Sequence, residues 1–93
     1  MRIPENMNCV MINGYGPAEN LKYTVTKTPK INKNEVMIKV HACGVNRPDI
    51  MQREGKYKPP KGASFLPGLE VSGKVVQVGN KVTSFKLNDK VCA

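Results

Sequence analysis

The chain has one histidine and three cysteines, the residue types that most readily bind transition metals or act as bases and nucleophiles. His41 and Cys43 stand two apart in one stretch, but a metal site there would need two further ligands from distant positions. The cysteines (Cys9, Cys43 and Cys92) are odd in number and far apart, which argues against a disulfide scaffold and favours a reducing compartment such as the cytosol. We therefore expect a solvated His41 and no metal site.

A second candidate for chemistry is Gly14-x-Gly16, which begins like a dinucleotide-binding fingerprint. It lacks the third glycine, the following helix and the acidic residue expected about 20 positions further on. Asn13 and Pro17 flank the two glycines, and such a cluster is typical of a turn. The sequence therefore predicts a turn here and no phosphate-binding loop.

The segment from Gly44 to Gly73 differs from the rest of the chain. Asn46 is suited to cap a helix, Pro48 fits its first turn, and Gly55 can end it. A loop rich in proline and glycine follows, and Glu70 opens the next strand. Because loops held by a rigid framework commonly carry function, the residues alone predict a small β domain with a polar loop cluster.

The elements that position this segment are predicted to be short strands. In residues 21–27, Tyr23 and Val25 alternate with Thr24 and Thr26, which indicates a half-buried strand. Val36, Ile38, Val40 and Ala42 recur with period 2, and Gly73 indicates a bulge or a close approach inside a strand. Asn88-Asp89 predicts a tight turn. The predicted strands are 7–12, 21–27, 36–42, 70–78, 82–85 and 90–92.

The charge balance is strongly basic, with 15 Lys and Arg against 7 Asp and Glu, giving +8 among 93 residues. The lysines are spread along the chain without a block of five or six, and aromatic residues are scarce. A solvated basic surface is favoured, with a basic rim around an anionic ligand or a nucleic-acid-binding barrel as alternatives. There is no apolar run of membrane-spanning length and no signal-peptide pattern. Because the chain stops at 91–93 within an apparent strand, we expect it to be part of a longer protein.

Several spaced motifs agree in order with one family. They are Val36–Val40, Gly44–Tyr57, Pro60–Ser64 and Pro67–Gly73. Together they closely resemble the quinone oxidoreductase branch of the medium-chain dehydrogenase/reductase superfamily, and residues 46–60 are most similar to its p53-inducible quinone oxidoreductase-like subgroup. The resemblance implies a mainly β fold, a GroES-like partly open barrel with one short helix. Residues 1–93 would form the incomplete N-terminal catalytic domain of a larger two-domain α/β enzyme whose Rossmann cofactor domain is absent.

The same resemblance implies an activity. Members of this branch transfer a hydride from NADPH to quinones or related electrophilic carbonyls, often as homodimers. We therefore expect a cytoplasmic, zinc-free oxidoreductase with a small-molecule quinone substrate and no nucleic-acid or membrane partner. The cofactor would bind mainly to the absent domain, so the isolated chain is expected to be inactive. A stand-alone GroES-like module of the co-chaperonin type is the alternative from another class.

The resemblance also assigns site residues. Asn46 and Tyr57 match positions that line the nicotinamide and substrate pocket, where an amide and a phenol can hydrogen-bond the carboxamide or the quinone oxygen. These two are the expected catalytic residues. Asp49 and Met51 join them as expected cofactor-binding residues, although Asp49 is equally suited to the start of a helix and Met51 to shaping the pocket.

No metal role is implied for these positions. Zinc-dependent relatives place a cysteine ligand where Asn46 stands and a histidine where Leu69 stands, and neither an amide nor an isobutyl group can replace them. Glu70 matches a carboxylate near the zinc in those relatives, and here it is expected to order the loop. Arg53 is expected to be structural.

Overall fold

A computed structural model describes residues 2–93 and divides them into two compact units. One unit consists of residues 6–27 and 45–69, and the other of residues 2–5, 28–44 and 70–93. Within the described part there are five strands, one short 3-10 helix and one α-helix. The fold is therefore mainly β with one short helix, as the sequence predicts.

The first unit begins with a two-stranded antiparallel sheet. Strand β1 (Asn6–Ile12) pairs with β2 (Leu21–Lys27) over their full length, and a 3-10 helix (Ala18–Asn20) lies in the connection between them. Both strands were expected from runs of apolar or alternating residues. The pairing places Asn6 opposite Lys27 and Ile12 opposite Leu21.

The covered face of β2 is the one that carries its threonines. Tyr23 and Val25 are 76% and 60% exposed, whereas Thr24 and Thr26 are half-buried. The threonines lie opposite the half-buried Cys9 and Met7 of β1, so these four residues share the covered face of the two-stranded sheet. An alternating pattern fixes two faces of a strand but does not by itself say which one packs.

The same unit contains the α-helix, α1 (Arg47–Glu54). Asn46 is its N-cap with extended backbone, and Pro48 lies in its first turn. Gly55 ends it in the left-handed region at φ 84°, a conformation in which glycine avoids the steric cost of a Cβ. These three sequence predictions are confirmed.

The second unit holds a three-stranded antiparallel sheet in the order β3 (Val36–Cys43), β4 (Val71–Val78) and β5 (Lys90–Cys92). Val75 of β4 is completely buried. The register between β3 and β4 shifts twice, between Met37 and Ile38 and between Val40 and Ala42. Of the predicted period-2 face on β3, Val36 and Ile38 are half-buried, but Val40 is 53% exposed. The predicted strand is therefore confirmed, but its period-2 apolar residues are covered only at the start of β3.

Residues 82–85 do not form the predicted strand. The backbone N–H of Val82 instead donates to the carbonyl of Gly79 at 3.0 Å, which closes a turn that ends at Val82, and residues 83–85 are irregular. Spaced apolar residues are compatible with a strand, but a strand needs a partner edge, and none pairs with this segment among residues 2–93. The Asn88-Asp89 turn is confirmed, with Asn88 in the left-handed region at φ 75°. No helix in residues 2–93 has the length and apolar character needed to cross a membrane.

Candidate functional site

The β1–β2 turn is joined to the end of α1 within the first unit. The backbone N–H of Gly16 donates to the carbonyl of Arg53 at 2.9 Å, and Nε of Arg53 donates to the carbonyl of Gly16 at 3.1 Å. Asn20 donates its side-chain amide to the carbonyl of Gly14 at 3.0 Å. Gly14-x-Gly16 is thus a turn, as predicted, and Arg53 has the structural role expected for it.

The first expected site residue, Asn46, lies at the start of α1. Asn46 and Asp49 form a capping box, in which the backbone N–H of Asn46 donates to Oδ2 of Asp49 at 2.9 Å. In return, the Asn46 side chain faces the backbone N–H of Asp49. The reciprocal arrangement holds the half-buried Asn46 side chain in one orientation, because it ties the residue to the first turn.

Asp49 has one oxygen that this box does not use. Its Oδ1 is buried and has no hydrogen-bond partner within residues 2–93. A buried acceptor without a partner costs free energy, of the order of 1–3 kcal/mol in general, unless a donor from water or a ligand reaches it. Asp49 therefore combines the helix-start role with an acceptor that a ligand hydroxyl or amide group could fill.

Met51 and Tyr57 lie on α1 and on the loop that follows it. Both side chains are half-buried, and the Tyr57 hydroxyl makes no hydrogen bond to residues 2–93. The carbonyl of Met51 accepts a hydrogen bond from the backbone N–H of Lys56 at 2.8 Å, which fixes the path of the chain as it leaves the helix. All four expected site residues thus belong to one unit, on α1, its cap and the following loop.

Gln52 is a residue that sequence reasoning missed. It is only 5% exposed, and its Nε2 donates to the carbonyl of Phe65 at 2.9 Å, thirteen residues further along the chain. This bond ties the loop that contains Tyr57 back onto α1. No local signal marked it, because its partner is a backbone carbonyl whose position depends on the path of the loop.

Glu70 belongs to the other unit. The backbone N–H of Gly44 donates to its carbonyl at 3.3 Å, and a Cβ added at Gly44 would overlap the Glu70 carboxylate. The glycine therefore permits the carboxylate to lie directly over the backbone at the end of β3. This contact supports the expectation that Glu70 orders the chain here. Both residues border a small hollow of about 440 Å³.

The second unit also has a larger cleft, of about 750 Å³, along the three-stranded sheet. None of the four expected site residues lines it. Its polar lining includes Lys39, Lys74, Lys90, Ser72 and Asn88. His41 also lines the cleft and is exposed, in keeping with a solvated histidine. Among residues 2–93 there is no group of three or more His, Cys, Asp or Glu side chains able to hold a metal ion.

Comparison with known families assigns the chain to one of them. Residues 32–93, more than half of the chain, match the alcohol dehydrogenase GroES-like domain. The chain belongs to the GroES-like domain family of the alcohol dehydrogenases. Its relatives are quinone oxidoreductase-like proteins of the medium-chain dehydrogenase/reductase superfamily, so the resemblance drawn from the motifs is confirmed at the family level.

Three comparisons illustrate this GroES-like domain. The quinone oxidoreductase-like protein 2 homolog of Nematostella vectensis is 44% identical over 64 residues, covering 69% of the chain and 18% of that protein. The quinone oxidoreductase of Sus scrofa is 40% identical over 86 residues, covering 91% of the chain and 26% of that protein. The crystal structure of human synaptic vesicle membrane protein VAT-1 homolog-like protein matches with a TM-score of 0.85 at 35% identity, covering 95% of the chain and 28% of that structure.

The coverage values show that the chain corresponds to only a part of each relative. The chain spans about a fifth to a quarter of the length of these curated relatives. The structural match shows the mainly β, GroES-like fold with open sheets, in agreement with the fold class expected from the sequence. The roles of Asn46, Asp49, Met51 and Tyr57 stay predictions.

Proposed function

We propose that the chain is the N-terminal, substrate-facing domain of a zinc-independent, NADPH-dependent quinone oxidoreductase. The parent enzyme transfers a hydride to quinones or related electrophilic carbonyls, works as a homodimer and is cytoplasmic. The observation that carries the proposal is the similarity to quinone oxidoreductases over most of the chain, including 40% identity across 91% of it in one case. The subgroup related to the p53-inducible enzyme is proposed from the motif at residues 46–60.

The arrangement around α1 supports the roles assigned to its residues. Asn46 is fixed by the capping box, so its amide can present hydrogen-bonding groups in a defined direction. The Tyr57 hydroxyl can donate to the carbonyl oxygen that gains negative charge during reduction. A donor held in place for that developing charge stabilises the transition state more than the ground state.

The described residues around α1 offer contacts for the nicotinamide end of NADPH, but not for its phosphates. The buried Oδ1 of Asp49 offers an acceptor for a hydroxyl or amide donor, and the half-buried Met51 offers an apolar contact beside it in sequence. The turn at residues 14–16 leads into a 3-10 helix and β2, so it offers no helix N-terminus for the phosphates. When bound, NADPH supplies the hydride, and the protein orients the reacting groups and excludes water.

The test uses the full-length parent protein with NADPH and 1,2-naphthoquinone. We expect turnover that survives chelators, and Tyr57→Phe is expected to lower kcat/KM by about tenfold or more, because one hydrogen bond to a developing charge is lost. Activity that requires zinc, or a parent protein that does not reduce quinones, would refute the proposal.

Asn46 needs a matched pair of variants, since it also caps α1. Asn46→Ala removes both the cap and the amide, whereas Asn46→Ser keeps a side-chain oxygen that caps helices well. We expect Asn46→Ser to retain thermal stability and still lose activity. If Asn46→Ser is fully active while Asn46→Ala is not, Asn46 is only a cap.

A further inference from the structure

Three lysines lie in register across the sheet of the second unit. Lys39 of β3 is the direct partner of Lys74 of β4, and Lys74 is the direct partner of Lys90 of β5. Directly opposed residues of antiparallel strands point to the same face, with Cβ atoms about 5 Å apart. The three exposed side chains therefore form one row, which we call the lysine row.

The lysine row is an unfavourable arrangement for an isolated sheet. Like charges directly opposite each other destabilise a strand pair, and Lys74 faces a lysine on both sides. None of the three side chains forms an ion pair or a hydrogen bond within residues 2–93. The nearest carboxylate in sequence, Asp89, accepts from the backbone N–H of Lys86 at 3.0 Å. The positive charge of the row is thus left to solvent or to an anion.

The surroundings of the row indicate which anion it fits. All three lysines line the cleft of about 750 Å³, together with Ser72 and Asn88. Lysine binds phosphate as a compact point charge, and a line of three charges suits an anion that itself carries several charges in a line. Strands β3, β4 and β5 contain no Phe, Tyr or Trp, so the row lacks the aromatic platform on which the bases of a single strand stack.

We propose that the lysine row is a binding site for an oligophosphate group, meaning two or more linked phosphates carried by a small molecule. The site is distinct from the residues around α1, and the proposal does not depend on the quinone reductase activity. Its role is electrostatic, because the bound anion neutralises the mutual repulsion of the three ammonium groups.

The test compares two triple variants of this chain with the same change in net charge. Lys39→Gln/Lys74→Gln/Lys90→Gln removes the row, and Lys22→Gln/Lys27→Gln/Lys58→Gln removes three exposed lysines elsewhere. Titration calorimetry with tripolyphosphate at low ionic strength should show binding by the unmodified chain and by the second variant. The row variant should bind at least about tenfold more weakly, a difference of about 1.4 kcal/mol. ADP and inorganic tripolyphosphate distinguish a nucleotide from a free oligophosphate as the source.

Two results would overturn the proposal. Equal weakening in both triple variants would mean that overall charge alone attracts the anion. Tighter binding of an oligothymidine strand than of tripolyphosphate, lost in the row variant, would assign the row to nucleic acid instead. The single variant Lys74→Gln removes the central charge with minimal disturbance and should weaken tripolyphosphate binding too, so the proposal stays testable if a triple variant does not fold.

Discussion

Gly73 shows how one residue constrains the sheet of the second unit. It lies in β4 opposite Val40, and a Cβ at this position would overlap the backbone carbonyl of Lys39. A backbone group cannot move aside as the end of a flexible side chain can. Glycine is therefore required by the close approach of β3 and β4, next to the register shift between Val40 and Ala42.

We expect Gly73→Ala to lower the free energy of unfolding by about 1–3 kcal/mol, because the added methyl group forces the two strands apart. Chemical denaturation of the chain measures this. Ser72→Ala, at the neighbouring position of β4, is the control and should have a smaller effect. An unchanged stability in Gly73→Ala would show that the strands separate without cost.

The capping box of α1 gives a second prediction at this scale. Asp49→Ala removes the carboxylate that accepts from the backbone N–H of Asn46, so α1 should lose about 1 kcal/mol of stability. Asp49→Asn keeps a side-chain oxygen at the same place and should lose less. Hydrogen exchange of the amides of α1 reports the difference, and equal exchange in both variants would contradict the capping role.

At the scale of elements, α1 and its following loop behave as one assembly. The helix is joined to the β1–β2 turn through Gly16 and Arg53, and to its own downstream loop through Gln52 and Phe65. The loop has little regular structure, so the bond from the buried Gln52 is a principal restraint on the segment that holds Tyr57.

We expect Gln52→Leu to loosen this loop, because the carbonyl of Phe65 loses its donor while the helix keeps a side chain of similar size. Trypsin should then cleave faster after the exposed Lys61. Gln77→Leu makes the same chemical change at an exposed position of β4 and should leave the cleavage rate unaltered. Equal rates in the two variants would mean that other contacts hold the loop.

The lysine row gives a prediction for the three-stranded sheet. Lys74→Glu replaces two opposed like-charge pairs by two opposed unlike pairs, so the melting temperature should rise by about 1–5 °C at low salt. The gain should shrink as salt is added, because exposed charges are screened. Lys58→Glu, outside the sheet, is the control with the same change in charge. A Lys74→Glu protein no more stable than Lys58→Glu would show that the lysines do not repel one another.

At the scale of the whole molecule, two compact units divide the expected chemistry. Asn46, Asp49, Met51 and Tyr57 all belong to one unit, whereas Glu70 and the lysine row belong to the other. Neither unit offers a glycine-rich loop that leads into a helix among residues 2–93, which is the feature that binds cofactor phosphates.

The chain alone is therefore expected not to oxidise NADPH in the presence of 1,2-naphthoquinone, while the full-length parent does so. Turnover by the chain alone would contradict the expected need for a separate cofactor domain.

Local signals in the sequence determined most elements of this protein. Asn46, Pro48 and Gly55 marked the start and end of α1, and Gly14 to Pro17 and Asn88-Asp89 marked turns, because capping and turn chemistry depend on neighbouring residues alone. The ordered motifs from Val36 to Gly73 indicated the family, and the comparisons confirmed it.

Tertiary structure decided what depends on partners far along the chain. Packing set the threonine face of β2 as the covered one, and the absence of a partner strand within residues 2–93 left 82–85 without strand structure. The Gln52–Phe65 bond and the alignment of Lys39, Lys74 and Lys90 follow from loop path and strand register. A one-residue slip of a strand would move its lysine to the opposite face of the sheet. The lysine row therefore depends on the observed register of all three strands.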